Sequence, residues 1–373
     1  MSRRHRAIRV SLGPRSYPIV LAGSFAGLPG EMRRLALPRL AWVVSHARLL
    51  ATHGRPLCAS LERGGWTVRV ITVPESERAK SFATARRVMA RVARGSPMRV
   101  PVLVAFGGGV VGDLAGFVAS VYRRGVPYVQ VATTLLAQVD SAIGGKVAID
   151  LPEGKNLIGA YHQPRLVWNH LGLLRTLPPR QRRSGLAEVL KYGVIADPWL
   201  WRYLERRLDA CLALTPGAAR VMVERSCAVK ARVVSLDERE TRGPRLHLNY
   251  GHTIGHALET VTGYRRFTHG EAIAVGMCAA AHLSAALGRC SSGDADRIES
   301  LILAAGLPVR ADGVDPEAVL MALRYDKKFV RGRARWVLPT RIGRVIVAED
   351  VPEAAVRATV RRYVRKRGGV RHG

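Results

Sequence analysis

The 373-residue chain is 48% apolar and 6% aromatic, with a mean hydropathy of +0.03 and a formal net charge of +31. It is long enough for two packed domains and carries no run of roughly 20 apolar residues that would span a bilayer. The N-terminal MSRRHRAIRVSLG lacks the apolar core of a secretory signal, and the five cysteines (Cys58, Cys211, Cys227, Cys278, Cys290) have no CxxC spacing. Reduced thiols in a cytoplasmic protein are therefore expected, without a disulfide framework or cysteine-bound zinc.

Two N-terminal apolar stretches, AIRVSLG and SYPIVLAG, predict a hairpin or edge strand. Short apolar runs follow at 40–45, 66–73, 100–108, 128–133 and 165–169, and these read as buried strands. Helical patterns at 79–94 and 113–122 lie between them. Such alternation predicts an α/β domain with a largely parallel sheet over residues 1–178. After LPPRQ (177–181) the strand signals fade. Helical patterns at about 182–194, 216–235, 252–262, 270–287, 294–305 and 353–367 predict a mostly helical domain over 179–373. The chemistry is expected in a cleft between the two.

The charge invites a nucleic-acid reading. However, the sequence shows no helix-turn-helix pair, RNP-like aromatic strand or zinc finger, and its arginines are spread throughout. A solvated basic surface is expected, with weak non-specific polyanion contacts at low salt and no specific nucleic-acid partner. Lysine is more informative. Only 8 of the 59 basic residues are lysine, and all but Lys366 fall in motif-rich segments: Lys80, Lys146, Lys155, Lys191, Lys230, Lys327 and Lys328. A compact ammonium kept in an arginine-dominated chain suggests a site for a small anionic substrate.

Gly107-Gly-Gly-Val-Val-Gly-Asp113 follows a strand and opens a helix, as a pyrophosphate-binding turn does. It is not GxGxxG, and glycine turns at strand ends also serve packing alone. Glu77 and Lys80, in PESERAKS, suit ribose binding or a simple helix-capping turn. DSAIGGK (140–146) with Gly154-Lys155-Asn156 resembles a phosphate-cradling loop but lacks the P-loop pattern. Glu188 and Lys191 share a helix face, as do His252 and His256, and His269 sits in a THGE turn. Glu188, His252, His256 and His269 are thus metal candidates for a site with open positions. The alternative is that one or two of these histidines merely cap helices or bond to backbone. HExxH is absent, which argues against a zincin protease.

Together, GGGVVGDLAGFVAS, RRGVPYVQVATTLLAQVDSAIGGK, GKNLIGAYHQP, LPPRQRRSGLAEVLKYG, DERET, LNYGHTIGHALE, HGEAIAVGM and DKK closely resemble the 3-dehydroquinate synthase family of sugar phosphate cyclases, from about residue 7 to 366. The resemblance implies an NAD-binding α/β domain, a helical metal-binding domain and a homodimer. It also implies conversion of 3-deoxy-D-arabino-heptulosonate 7-phosphate to 3-dehydroquinate with release of phosphate. The implied route is transient oxidation by NAD⁺, elimination, reduction and an intramolecular aldol step. By motif, the zinc (or cobalt) ligands would be Glu188, His252 and His269. Substrate would be held by Lys146, Asn156, Lys191, Lys230, Arg245, Asn249, His256 and one of Lys327 and Lys328, with Lys328 preferred. Arg124 would reach the substrate phosphate of the partner subunit. NAD contacts would come from Glu77, Lys80, Gly109, Gly112, Asp113, Thr133, Thr134, Asp140, Lys146 and Lys155.

Ala132 stands where the family usually has proline, Ser45 where it often has Asp or Thr, and one residue is inserted in ETRGPRLHLN. None of these removes a catalytic group. The competing readings are a sister cyclase making 2-deoxy-scyllo-inosose or a valiolone, and a simple metal-dependent alcohol dehydrogenase. The forms of DSAIGGK and the glycine-rich turn, and the number of lysines, weigh against them.

Overall fold

The computed structural model describes residues 8–241, 243–325, 329–330 and 333–366. The chain divides into two compact units. One holds the chain up to Leu177 together with Ala219–Arg239; the other holds Pro178–Ala218 and the chain from Glu240 onward.

The first unit is built on a seven-stranded sheet. Its strands are β1 (Ile8–Val10), β2 (Tyr17–Ala22), β3 (Leu40–His46), β4 (Thr67–Val73), β5 (Val102–Gly107), β6 (Tyr128–Ala132) and, after the separate hairpin β7 (Lys146–Leu151) and β8 (Gly154–Tyr161), β9 (Leu166–His170). The order is β1-β2-β9-β6-β5-β3-β4. Every pairing is parallel except β1 with β2, where Ile8 faces Ile19 and Val10 faces Tyr17. The expected N-terminal pair is therefore an antiparallel edge on a parallel sheet.

Strands β5 and β6 are buried along their whole length because both sheet faces are covered. Leu40, Trp42, Val44, Leu103 and Ala105 enter one core with residues of the helices Phe82–Gly95 and Gly109–Val121. Ala41, Val43, Val102, Val104 and Phe106 enter the other, with the helices Leu28–Arg34 and Arg55–Arg63. The two-residue period of a strand thus divides one apolar run between two cores. By contrast, β4, expected as a buried strand, is an edge strand with Thr67, Arg69, Val70 and Thr72 exposed.

Part of the helix Pro216–Leu236 joins the first unit through long-range polar contacts. Cys227 Sγ donates to the Gln138 carbonyl at 3.1 Å, and Ser235 Oγ accepts from the Ser11 amide at 2.8 Å. DSAIGGK (140–146) starts at the end of a five-residue helical turn, Ala137–Ser141, and runs into the antiparallel hairpin β7–β8, which carries Gly154, Lys155 and Asn156.

The second unit is mainly helical. Its longer helices are Pro179–Ala196, His252–Val261, His269–Ala286, Ser292–Ala304, Pro316–Tyr325 and Glu353–Tyr363. It also contains an antiparallel pair, Trp336–Arg341 with Arg344–Ala348, where no strand is predicted. Here Ser284 Oγ donates to the Pro339 carbonyl at 2.6 Å, and Gly343 N donates to the Val194 carbonyl at 2.8 Å. Contacts distant in sequence therefore hold a ribbon that local propensity leaves ambiguous.

The helix His269–Ala286 is buried almost all round and starts with a capping box between Thr268 and Glu271. Its start lies hard against the helix Pro179–Ala196: a Cβ on Gly270 would stand 2.1 Å from the Ser184 carbonyl oxygen. Glycine at 270 permits this approach, which carries the adjacent His269 toward Glu188.

Candidate active site

In the second unit, Glu188 is completely buried on the helix Pro179–Ala196, and Lys191, one turn later and 1% exposed, forms an ion pair with its Oε2. Two imidazoles approach Oε1: His269 Nε2 at 3.2 Å and His252 Nε2 at 3.4 Å. Each histidine is the first residue of its helix. His252 Nδ1 lies 3.0 Å from the Tyr250 carbonyl, so a proton on that nitrogen would leave the Nε2 lone pair for a metal.

One ligand atom from each of Glu188, His252 and His269 falls within 4.8 Å of the others. Metal bonds of about 2.0–2.2 Å at tetrahedral angles separate neighbouring ligands by roughly 3.3–3.6 Å. The two Glu188 contacts lie close to that spacing, and a carboxylate with two imidazoles is the donor chemistry zinc or cobalt takes. The residues fit a divalent cation.

The electrostatics agree. Burial alone would raise the Glu188 carboxyl, but the Lys191 ammonium and hydrogen bonds from His252 and His269 hold it well below the usual range. Burial and Lys191 lower His252. Burial also acts to lower His269, yet hydrogen bonds to Glu188 and Glu259 push it up to about 10. Glu188 is therefore held as a carboxylate, with the two imidazoles beside it pulled in opposite directions.

His256 stands with its ring centroid 5.2 Å from His252 and 6.2 Å from His269. A ligand atom of His256 also groups with one each from Glu259 and His269, so position alone leaves it open as a donor. Arg245 is buried in the turn Pro244–Asn249, and Asn249 Nδ2 donates to Glu240 Oε1 at 2.7 Å. Lys327 and Lys328 lie outside the described residues.

In the first unit, Gly108 caps the helix Gly109–Val121, as the motif predicts. Part of the glycine requirement is packing. A Cβ on Gly112 would lie 2.8 Å from Gln130 Oε1, and one on Gly109 would lie 3.0 Å from Ser141 Oγ. Thr133 N donates to the Gly107 carbonyl at 3.0 Å, and Thr134 Oγ1 accepts from the Ala137 amide at 3.1 Å.

Lys80 joins four other predicted positions, Glu77, Asp113, Lys155 and Asn156, into one network with Asp150. Its Nζ lies 2.9 Å from Asp113, 3.5 Å from Glu77 and 3.6 Å from Asp150, and it also donates to Asn156 Oδ1. Lys155 completes the group at 3.4 Å from Glu77. Burial raises the Asp113 carboxyl to about 6 against the opposing Lys80 ammonium. Lys230 Nζ donates to Asp140 Oδ1 at 2.6 Å and to its carbonyl at 2.8 Å. Lys146 is exposed at the start of β7. Arg124 is exposed in a turn where both it and Arg123 adopt positive φ.

Asp150 and Glu259 were not singled out from the sequence. Asp150 accepts the Asn156 amide at 2.8 Å and so sets that left-handed residue beside Lys80. Glu259 follows His252 and His256 at helical spacing in GHTIGHALE, which was the available signal.

The parallel α/β unit, the helical unit and the carboxylate–imidazole group fit a metal-dependent enzyme. The 3-dehydroquinate synthase N-terminal family matches residues 70–184, and the 3-dehydroquinate synthase C-terminal family matches residues 185–329. The chain belongs to the 3-dehydroquinate synthase family. It is 47% identical to a 3-dehydroquinate synthase from Pelotomaculum thermopropionicum over 91% of this chain and 92% of that one.

Two solved sister cyclases share the fold at lower identity. A 2-deoxy-scyllo-inosose synthase, complexed with carbaglucose-6-phosphate, NAD⁺ and Co²⁺, has a TM-score of 0.84 at 25% identity, covering 96% of this chain and 100% of that one. The 2-epi-5-epi-valiolone synthase of Streptomyces hygroscopicus, with NAD⁺ and Zn²⁺ bound, has a TM-score of 0.85 at 28% identity, covering 94% and 97%.

Proposed function

We propose that this chain is a 3-dehydroquinate synthase, converting 3-deoxy-D-arabino-heptulosonate 7-phosphate to 3-dehydroquinate and inorganic phosphate in the shikimate pathway. The carrying observation is the 47% identity with a 3-dehydroquinate synthase over nearly the whole chain, against 25–28% for the sister cyclases. The cofactors are NAD⁺ and a divalent metal, zinc or cobalt. Glu188, His252 and His269 would hold the ion. When bound, the metal supplies Lewis-acid polarisation of an oxygen and NAD⁺ supplies reversible hydride acceptance, so the reaction has no net redox change.

The chain's own residues bind and orient. Lys191, Arg245, Asn249 and His256 are the proposed substrate contacts of the second unit. Buried Lys191 and Arg245 offer fixed positive charge suited to a carboxylate or phosphate. The hydrogen bond to Glu240 orients the Asn249 amide, directing its Oδ1 for acceptance. Lys146, Asn156 and Lys230 are the proposed contacts of the first unit, together with Lys328 from outside the described residues. Glu77, Lys80, Asp113, Asp140 and Lys155 are proposed to hold the nucleotide, with Thr133, Thr134 and the Gly109 and Gly112 backbone. The Lys80 network sets two ammoniums, Lys80 and Lys155, among three carboxylates, Glu77, Asp113 and Asp150. A cytoplasmic homodimer, with Arg124 serving the partner's substrate, completes the proposal. Among the described residues no helix is long and apolar enough to cross a membrane.

The test is to incubate metal-loaded protein with catalytic NAD⁺ and the heptulosonate phosphate, following phosphate and carbocycle together. Equimolar phosphate and 3-dehydroquinate, with no net NADH, is expected. Turnover of glucose 6-phosphate or sedoheptulose 7-phosphate instead would move the chain to a sister activity.

A further inference from the structure

His269 is contacted by carboxylates at both ring nitrogens: Nε2 lies 3.2 Å from Glu188 Oε1, and Nδ1 lies 3.4 Å from Glu259 Oε2. The second contact is at the long end for an N–H···O bond, but Glu259 is well placed to make it. It follows His252 by seven residues on the same helix, so the two share one face, and it is only 9% exposed. The two histidines of the donor set therefore differ behind the ring. His252 has a backbone carbonyl at Nδ1, whereas His269 has a carboxylate. The His269 side chain is also the more exposed, at 28% against 10%. With less surrounding protein to hold its ring, it depends more on a partner at Nδ1.

We infer that Glu259 is a positioning residue for the metal centre: its carboxylate accepts the Nδ1 proton of His269, fixes the ring as an Nε2 donor and holds it toward Glu188. The inference rests on the reading of Glu188, His252 and His269 as ligands. A carboxylate behind a metal-binding imidazole locks its tautomer and strengthens its lone pair. The competing arrangement is a separate ion held by His256, Glu259 and His269. It would require the single His269 ring to serve two ions, and stoichiometry distinguishes the two.

The experiment uses the full chain stripped of metal, with zinc affinity measured by competition against a chromophoric chelator and the visible spectrum recorded on Co²⁺ loading. Glu259→Gln keeps the shape and a neutral acceptor; Glu259→Ala removes the acceptor. Zinc is expected to bind about 10- to 100-fold more weakly in Glu259→Ala, as for lost outer partners elsewhere, and by a smaller factor in Glu259→Gln. One equivalent should bind throughout, the cobalt bands should shift, and the melting temperature of stripped Glu259→Gln should match wild type. Wild-type affinity in both variants would overturn the inference, as would two equivalents in wild type falling to one in Glu259→Gln. Glu188→Gln separates the two levels. If it loses the ion while both Glu259 variants keep full affinity, this inference alone fails. If it binds zinc as wild type does, the ligand reading fails and the inference with it.

Discussion

Glu188 concentrates the chemistry of the second unit on one carboxylate, because three cationic or donor groups converge on a residue with no access to water. Glu188→Gln keeps the volume and removes the charge. With the metal's several kcal/mol of polarisation lost, turnover should fall by roughly a thousandfold or more, while far-UV circular dichroism stays native. A fully active variant would sink the metal assignment. Treatment with a chelator should stop phosphate release, and either zinc or cobalt should restore it; activity indifferent to the chelator would contradict the proposed cofactor. Glu188, His252 and His269 were legible as candidates from residue type and spacing, but their distances to one another were not, since they lie on separate helices.

At the scale of elements, two contacts made by the first turn of the helix His269–Ala286 decide where His269 sits. Gly270 lies against Ser184, so Gly270→Ala must push the helices apart. Overpacking of this kind costs about 1–3 kcal/mol, and the variant should melt lower and bind zinc more weakly; an unchanged zinc affinity would show that the helix approach does not set the site. Glu271 accepts from Thr268 N at 2.8 Å and pairs with Arg180 at 2.6 Å. Burial would raise its carboxyl, but Arg180 and the Thr268 amide hold it below the usual value. A lowered carboxyl stabilises above its unfolded pKa, about 4.3 for glutamate, and that contribution is lost as pH falls through the lower folded value. Glu271→Ala should therefore lose about 1–2 kcal/mol at pH 7, from a cap and a partly exposed pair. The gap in denaturant stability from wild type should narrow in acid; a gap independent of pH would remove the ionic part of the argument. The parallel strands and most of the longer helices were legible from periodicity, whereas the helices Leu28–Arg34, Arg55–Arg63 and Pro316–Tyr325 were not singled out. The β7–β8 hairpin and the Trp336–Arg341 ribbon were not legible, because glycine, lysine and proline obscure their alternation.

For the whole molecule, the charge of +31 is a field rather than a motif. The protein should be retained by heparin or duplex DNA at about 50 mM salt, with affinity falling steeply by about 200 mM and no preference among sequences. Sequence-selective DNA binding at physiological salt would overturn the view that this charge has no specific nucleic-acid partner. Sedimentation of the full chain across a concentration series tests the proposed homodimer: a monomer throughout would leave Arg124 without a partner site to serve.

Buried strands must be apolar and helices must repeat every three to four residues, so composition and periodicity by themselves determined the α/β-then-helical architecture. Motif order likewise determined the family resemblance. Which distant residues meet was decided only by tertiary packing. Lys80 gathers Asp113, Asp150 and Asn156, and Lys230 takes Asp140, through contacts far apart in the chain. Glu259 reaches the far side of the His269 ring in the same way. Those pairings depend on ångström-scale approaches such as that of Gly270 to Ser184, for which a one-dimensional pattern carries no distance.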